Sequence, residues 1–350
     1  MKIGHFNLTE NGRVMLIAEL SANHNHRLDV AIDTIRAAAK AGADAIKLQT
    51  YTADTLTIDC DNEHFRIGHG TLWDGKTLYN LYKEAYTPWE WHAELYRIAR
   101  EEGLVCFSSP FDATAVDFLE ALDTPAHKIA SFEIQDIPLI RYAASKGKPI
   151  IISTGIAMEE DVRLAVETCR AAGNDQVVLL KCTSAYPAPL EEANLRTMQD
   201  LRERFGVMVG VSDHTMDHTV PVVATALGGC LIEKHFILDR NLGGPDAAFS
   251  LDPAGFAEMA RQVRDVETAL GRVSYERSEL VEKNRKFARS LFVVDDVKAG
   301  EAITAANVRS IRPGFGLHPR YYDTVLGKTF TRDIVRGTPL SADHIAGFSA

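Results

Sequence analysis

Two short stretches near the middle of the chain hold residues suited to metal chemistry: Val209–Thr215 (VGVSDHT) and Leu231–Phe236 (LIEKHF). Each begins apolar and ends polar, and about fifteen helix-like residues separate them. Two neighbouring strands of a parallel barrel that open into one site have this form. On that reading His214 and His235 are a pair of ligands to one divalent metal. The competing reading makes one histidine a helix cap and the other a core residue. Their matching positions at the ends of successive strands favour the ligand pair. Two imidazoles leave most of a coordination sphere open, which suits a Lewis acid that polarises a carbonyl or lowers the pKa of a bound water.

Lys47 and Lys128, with Lys181 and Lys234 as further candidates, also fall at strand ends, among serine and threonine hydroxyls. Ammonium and hydroxyl donors together suit a phosphate or carboxylate, because charge-assisted hydrogen bonds are short and strong. A single lysine there could instead form a Schiff base or snorkel at an edge; several in one place favour anion binding. Glu133, Asp213, Glu233 and Asp246 are candidates for proton transfer, each weighed against merely orienting a neighbour. The residues alone lead to a metal-assisted reaction joining an anionic substrate to a carbonyl compound, and leave the substrate open.

The elements that would position these groups are regular. Continuous apolar runs at 14–20, 45–50, 104–108, 126–130, 149–153, 177–181, 207–211 and 230–236 read as strands buried on both faces. Amphipathic stretches such as 28–41, 89–102, 114–122 and 159–172 lie between them, and Gly42, Gly103, Gly147, Gly173 and Gly206 follow five of these helices as stops. Strict alternation predicts an α/β fold, a (β/α)8 TIM barrel; an open doubly wound sheet is the alternative, but no Gly-x-Gly-x-x-Gly follows the first strand. The strand ends carry Glu19 and Asn23, Lys47 and Gln49, Ser108 and Ser109, and Lys128, Ser131 and Glu133. The later four carry Ser153 and Thr154, Lys181 to Tyr186, Ser212 to His214, and Glu233 to His235. A barrel aims its loops and its chemistry to that face.

The connection Tyr51–Pro88 is unusually long, and it predicts a lid or binding loop. It contains Asp54, His64, His69, Trp73 and Asp74, with the histidines expected at the surface. Residues 1–271 are assigned to the barrel, the charged stretch 272–289 to a linker, and 290–350 to a small, turn-rich β domain. With 350 residues and 46% hydrophobic content the chain can bury a large core. The net charge of −10 speaks against nucleic acid as a partner, and no apolar run suits a membrane span. The N-terminus lacks the pattern of a secretory signal, and five cysteines without Cys-x-x-Cys spacing suggest free thiols in a reducing cytoplasm.

The stretches Ile17–Asn25 (IAELSANHN), Gly42–Thr50 (GADAIKLQT), Lys128–Ser131 (KIAS), Ser212–His214 (SDH) and Glu233–His235 (EKH) together resemble the sialic acid synthase family. The tail from Arg289–Phe292 (RSLF) to Ile311–His318 (IRPGFGLH) resembles that family's antifreeze-like SAF domain, a β-clip. Glu19–Asn25, Gly70–Gly75 (GTLWDG), Thr87–His92 (TPWEWH) and Gly316–Pro319 (GLHP) are similar to the branch that uses a 6-deoxy diacetamido sugar. Asn25 stands where relatives acting on N-acetylmannosamine commonly carry Glu.

The resemblance implies condensation of phosphoenolpyruvate with 2,4-diacetamido-2,4,6-trideoxy-L-altrose and release of phosphate. It implies that Lys47, Ser109, Lys128, Ser131, Ser153, Ser184 and Ser212 grip phosphoenolpyruvate. His214 and His235 would hold Mn(II), with Mg(II) or Co(II) as alternatives. Glu133 is the expected proton-transfer group, with Lys128, Asp213 and Tyr186 in the catalytic set. Asn23, Asn25, Gln49, Tyr186 and Asp246 would align the sugar. Arg312 would reach it from the partner chain of a domain-swapped homodimer. The alternatives are the sugars that lead to N-acetylneuraminic or legionaminic acid and, outside the family, a metal-dependent pyruvate aldolase.

Overall fold

The computed structural model describes residues 1–68, 70 and 73–349. His69, Thr71 and Leu72, and with the last two part of the 70–75 motif, lie outside the described residues. The chain divides into two compact units, Met1–Gly271 and Arg272–Ala350.

The first unit opens on a hairpin, β1 (Lys2–Ile3) and β2 (Phe6–Asn7). Eight further strands come after it: β3 (Met15–Glu19), β4 (Ala45–Thr50), β5 (Val105–Pro110), β6 (His127–Ile129), β7 (Ile150–Ser153), β8 (Val177–Cys182), β9 (Met208–Asp213) and β10 (Leu231–His235). These eight are parallel and close into a barrel, β10 pairing with β3. Each predicted strand is present, displaced at its ends by two residues at most. The five stop glycines all take positive φ, from 63° at Gly206 to 91° at Gly42.

Side chains alternate across a strand, so the barrel sorts its residues into two cores. One phase (Leu16, Ile46, Leu48, Cys106, Leu179, Val209, Val211, Ile232) packs against the helices. The other (Met15, Ile17, Ala45, Val105, Phe107, Ile151, Val178, Leu180, Leu231) fills the lower interior, where Ile3, Phe6 and Leu8 of the N-terminal hairpin close the end. Sequence reading assigned no element to this hairpin. Two-residue strands carry too few positions for a period to register.

The long connection after β4 is more structured than expected, with helices at Ala53–Leu56 and Leu78–Ala85. Its two ends are stitched together. Thr50 Oγ1 lies 2.8 Å from His92 Nε2, Trp89 Nε1 donates to Tyr51 O at 3.1 Å, and His24 Nε2 lies 3.0 Å from Thr87 Oγ1. His64 is exposed, as predicted.

In the second unit β11 (Ser290–Val293) pairs antiparallel with β12 (Val308–Ile311) over a core of Leu291, Val293, Ile303, Val308, Val325, Phe330, Leu340 and Ile345. The stretch 272–289, expected as a linker, belongs to this unit. Ser278 caps a helix at Glu279–Asn284, and Gly314 N–H donates to Lys286 O at 2.9 Å, tying the segment to the loop after β12. All five cysteines are free thiols, and no helix among the described residues is long and apolar enough to cross a membrane.

Candidate active site

Above the inner apolar core, the same strand phase turns polar and brings Glu19, Lys47, Ser109, Lys128, Ser153, Cys182, Ser212 and Glu233 into one buried layer. Lys47 Nζ lies 2.6 Å from Glu19 Oε2 and 3.7 Å from Glu233 Oε1, and donates to Ser109 Oγ at 3.3 Å. Lys128 Nζ donates to Ser153 Oγ at 2.8 Å and stands 3.5 Å from the same Glu233 oxygen, to which Ser212 Oγ donates at 3.2 Å. Burial, opposed by the Lys47 ammonium and supported by the Glu233 charge, pushes the Glu19 carboxyl up to about 7. Burial works against ionising Glu233 as well, but Lys128 and Lys47 outweigh it and hold that carboxyl below its ordinary range. Burial likewise pulls the Lys128 ammonium below its ordinary range, so two lysines and two carboxylates share one buried layer in which the lysines and the serine hydroxyls are the donors open to an anion. The hydroxyls continue upward: Ser184 Oγ donates to Ser131 Oγ at 2.9 Å, and Ile156 N–H donates to Ser131 Oγ at 3.1 Å. Gly155 has no room for a side chain here. A Cβ would lie 2.1 Å from Ser184 Oγ and 2.6 Å from Ser131 Oγ.

One step further up the strands, the rings of His214 and His235 have centroids 5.2 Å apart, and both residues are buried. His214 Nδ1 lies 3.0 Å from Thr183 O, the second contact that typically orients a ligating imidazole and leaves its other nitrogen free. His235 Nδ1 is buried without a partner, and burial followed by the nearby His214, Lys47 and Lys128 keeps this ring neutral, the form that binds metals. A metal–nitrogen bond of roughly 2.0–2.1 Å lets two rings at this spacing share one ion. No cluster of three or more His, Cys, Asp or Glu suited to a metal exists among the described residues, so any ion here would have this pair of imidazoles as its protein ligands.

A cavity of about 420 Å³ opens beside His235. Gln49, Ser131, Glu133, Tyr186 and Asp246 line it, with an apolar wall of Leu56, Ile67, Leu78, Leu81 and Tyr82 from the long connection. Residues of the long connection, expected as a lid or binding loop, thus form one side of this cavity. Glu133 Oε2 has no partner, and burial, only partly opposed by Lys128, pushes the carboxyl up to about 7. Gln49 Nε2 donates to Glu19 Oε1 and Ser21 Oγ, each at 2.9 Å, and Ser21 Oγ donates to Asp246 Oδ2. Asp246 Oδ2 stands 3.9 Å from His235 Nδ1. The Tyr186 ring centroid lies 4.5 Å from that of His214, and burial raises its phenol, which stays a neutral donor.

Several expected residues are not brought to this mouth. Asp213 and Lys234 lie in the opposite strand phase and pair with each other on the outer face of the barrel, where Asp213 also accepts from Thr215 N at 2.9 Å. Lys181 shares that outer phase, donating to Cys182 O at 2.8 Å. Asn23 and Asn25 do not line the cavity. Asn23 Nδ2 donates to Phe236 O at 2.9 Å and Ser250 Oγ at 2.8 Å, and Asn25 Nδ2 donates to Leu242 O at 2.9 Å. Arg312, expected to act from a partner chain, is exposed in the second unit, in the segment after β12. Conversely, Glu19, Ser21, Cys182 and Phe249 were not singled out as site residues. By sequence Glu19 is only a strand-end residue; it and Cys182 share the inner phase of Ile17 and Leu180, which the closed barrel reveals.

The NeuB family model matches residues 34–275 and the SAF domain model residues 288–346. The chain is 48% identical over 340 residues to the pseudaminic acid synthase of Campylobacter jejuni, covering 97% of this chain and 98% of that protein. It is 36% identical to the N,N'-diacetyllegionaminic acid synthase of Legionella pneumophila, covering 94% of each. The crystal structure of the N-acetylneuraminic acid synthetase from Leptospira borgpetersenii, in complex with citrate, superposes with a TM-score of 0.72 at 28% identity, covering 81% of this chain and 94% of that one. The chain belongs to the NeuB family and carries a SAF domain after its barrel.

Proposed function

We propose that this chain is an enzyme that condenses phosphoenolpyruvate with 2,4-diacetamido-2,4,6-trideoxy-L-altrose and water, giving pseudaminic acid and phosphate. The observation that carries the reading is the 48% identity, over 97% of the chain, to a pseudaminic acid synthase. The apolar wall of the cavity supports it, since a 6-deoxy sugar with two acetamido groups presents methyls where other sugars present hydroxyls.

Lys47 and Lys128, with Ser109, Ser131, Ser153, Ser184 and Ser212, bind the enol phosphate through charge-assisted hydrogen bonds. Gln49, Tyr186 and Asp246 orient the open-chain sugar over it. His214 and His235 would hold a divalent ion, Mn(II) with Mg(II) or Co(II) as alternatives, which when bound polarises the aldehyde oxygen as a Lewis acid. The enol methylene carbon bonds to the aldehyde carbon, water adds to the former enol C2, and ionised Glu133 accepts a water proton and passes it to the new alkoxide. The C2–O bond to phosphate then breaks as the C2 hydroxyl gives its proton to the departing phosphate and becomes the ketone. The tight layer around Lys47 and Lys128 excludes bulk water, so the cation at C2 meets one positioned nucleophile.

The same reading puts the reaction in the cytoplasm and in a homodimer. Arg312, exposed near the exposed Phe315, serves the partner's sugar there. Mixed Arg312→Ala and His235→Ala chains then regain activity that neither has alone. Phosphate release from phosphoenolpyruvate with the altrose derivative, its legionaminic counterpart and N-acetylmannosamine, with and without chelator, tests the whole. Turnover preferring either other sugar overturns the substrate, and turnover of pyruvate without phosphoenolpyruvate overturns the reaction.

A further inference from the structure

We propose that Asn25 is a positioning residue, whose side-chain amide clamps the loop after β10 and so sets the wall of the sugar cavity. The class of sugar rests on the proposed function; the clamp does not. Asn25 Nδ2 donates to two successive carbonyls of that loop, Leu242 O at 2.9 Å and Gly243 O at 3.3 Å. The next residue passes directly over the amide. A Cβ on Gly244 would lie 2.5 Å from Asn25 Oδ1, and the glycine takes φ +115°, which L side chains rarely adopt. Asn25 itself has φ 48°, a left-handed conformation that asparagine enters more readily than most residues.

The cavity begins immediately after Gly244, where Pro245 and Asp246 both line it. Pro245 O accepts from Trp73 Nε1 at 3.3 Å, and Asp246 Oδ2 accepts from Ser21 Oγ and from Ala22 N at 3.4 Å. The Asn25 amide thus joins the turn after β3 to the loop after β10, and Trp73 separately ties that loop to the long connection after β4. The donor is essential, because both partners are carbonyl oxygens. A carboxylate at this position offers only acceptors and would set three oxygens against one another.

The test uses the full-length protein and Asn25→Asp, which keeps the volume and removes the donor. Amide hydrogen exchange without substrates should quicken at least tenfold across residues 240–249 and stay unchanged in β7 and β8. The KM for the diacetamido sugar should rise at least tenfold, with the KM for phosphoenolpyruvate within twofold. Asn25→Ala, which removes the donor without adding charge, must show the same exchange pattern and serves alone if the first variant does not fold. A raised sugar KM with unaltered exchange would mean that Asn25 touches the sugar itself, and overturns the clamp. Both KM values rising with a lowered melting temperature would mean a general structural role, and also overturns it. Wild-type protein that releases no phosphate with this sugar overturns the functional reading, while the exchange measurement still decides the clamp.

Discussion

Lys234 Nζ lies 2.5 Å from Asp213 Oδ2 across two adjacent strands, on the outer face of the barrel and one residue out of phase with the site. Both side chains are almost fully buried. Asp213→Asn leaves that ammonium without its counter-charge, and removing one partner of a buried pair costs about 3 kcal/mol. Thermal and denaturant unfolding should record the loss, with both KM values retained. A hundredfold loss of kcat at unchanged stability would restore Asp213 to the chemistry.

Glu133 holds its proton until about pH 7 because burial disfavours its charge. As acceptor of the water proton it works ionised, so kcat/KM should rise with pH through about 7. Glu133→Gln should lower kcat roughly 10²–10⁴-fold and abolish that inflection. Glu19 titrates in the same range, so an inflection that survives in the variant would move the assignment there.

Replacing His235 by Gln removes one of only two imidazoles. Metal affinity, read by titrating metal into the dialysed protein, should fall by more than the roughly 10–100-fold that losing a ligand's own hydrogen-bond partner costs. Unchanged affinity in this variant would mean that the ion sits elsewhere.

Gly155→Ala drives a methyl into the contact between Ser131 and Ser184. Steady-state kinetics should show the KM for phosphoenolpyruvate raised about tenfold, from roughly 1.4 kcal/mol of lost binding, with the sugar KM little altered. An unchanged value would remove these two hydroxyls from the anion site.

The barrel was legible because each strand is a continuous apolar run between helices with glycine stops. The histidine pair was legible because His214 and His235 hold equivalent places on successive strands. What failed was phase. A run buried on both faces has no visible alternation, so Lys181, Asp213 and Lys234 read as strand-end residues equal to Lys47 and Lys128. Only the barrel's closure shows which side each one faces. Asn23 and Asn25 failed for another reason: both sit in the right motif, yet their amides are committed to backbone carbonyls some 200 residues away, a pairing that no local pattern encodes.

The hairpin at the N-terminus gives the barrel a floor, and a vessel with a floor has a single doorway. The layer of lysines and serines lies beneath the histidines and the cavity, so on the proposed function the small anion has to go in ahead of its larger partner. On the proposed function, free sugar arriving first would stand on the stairs, and excess sugar would then act as an inhibitor.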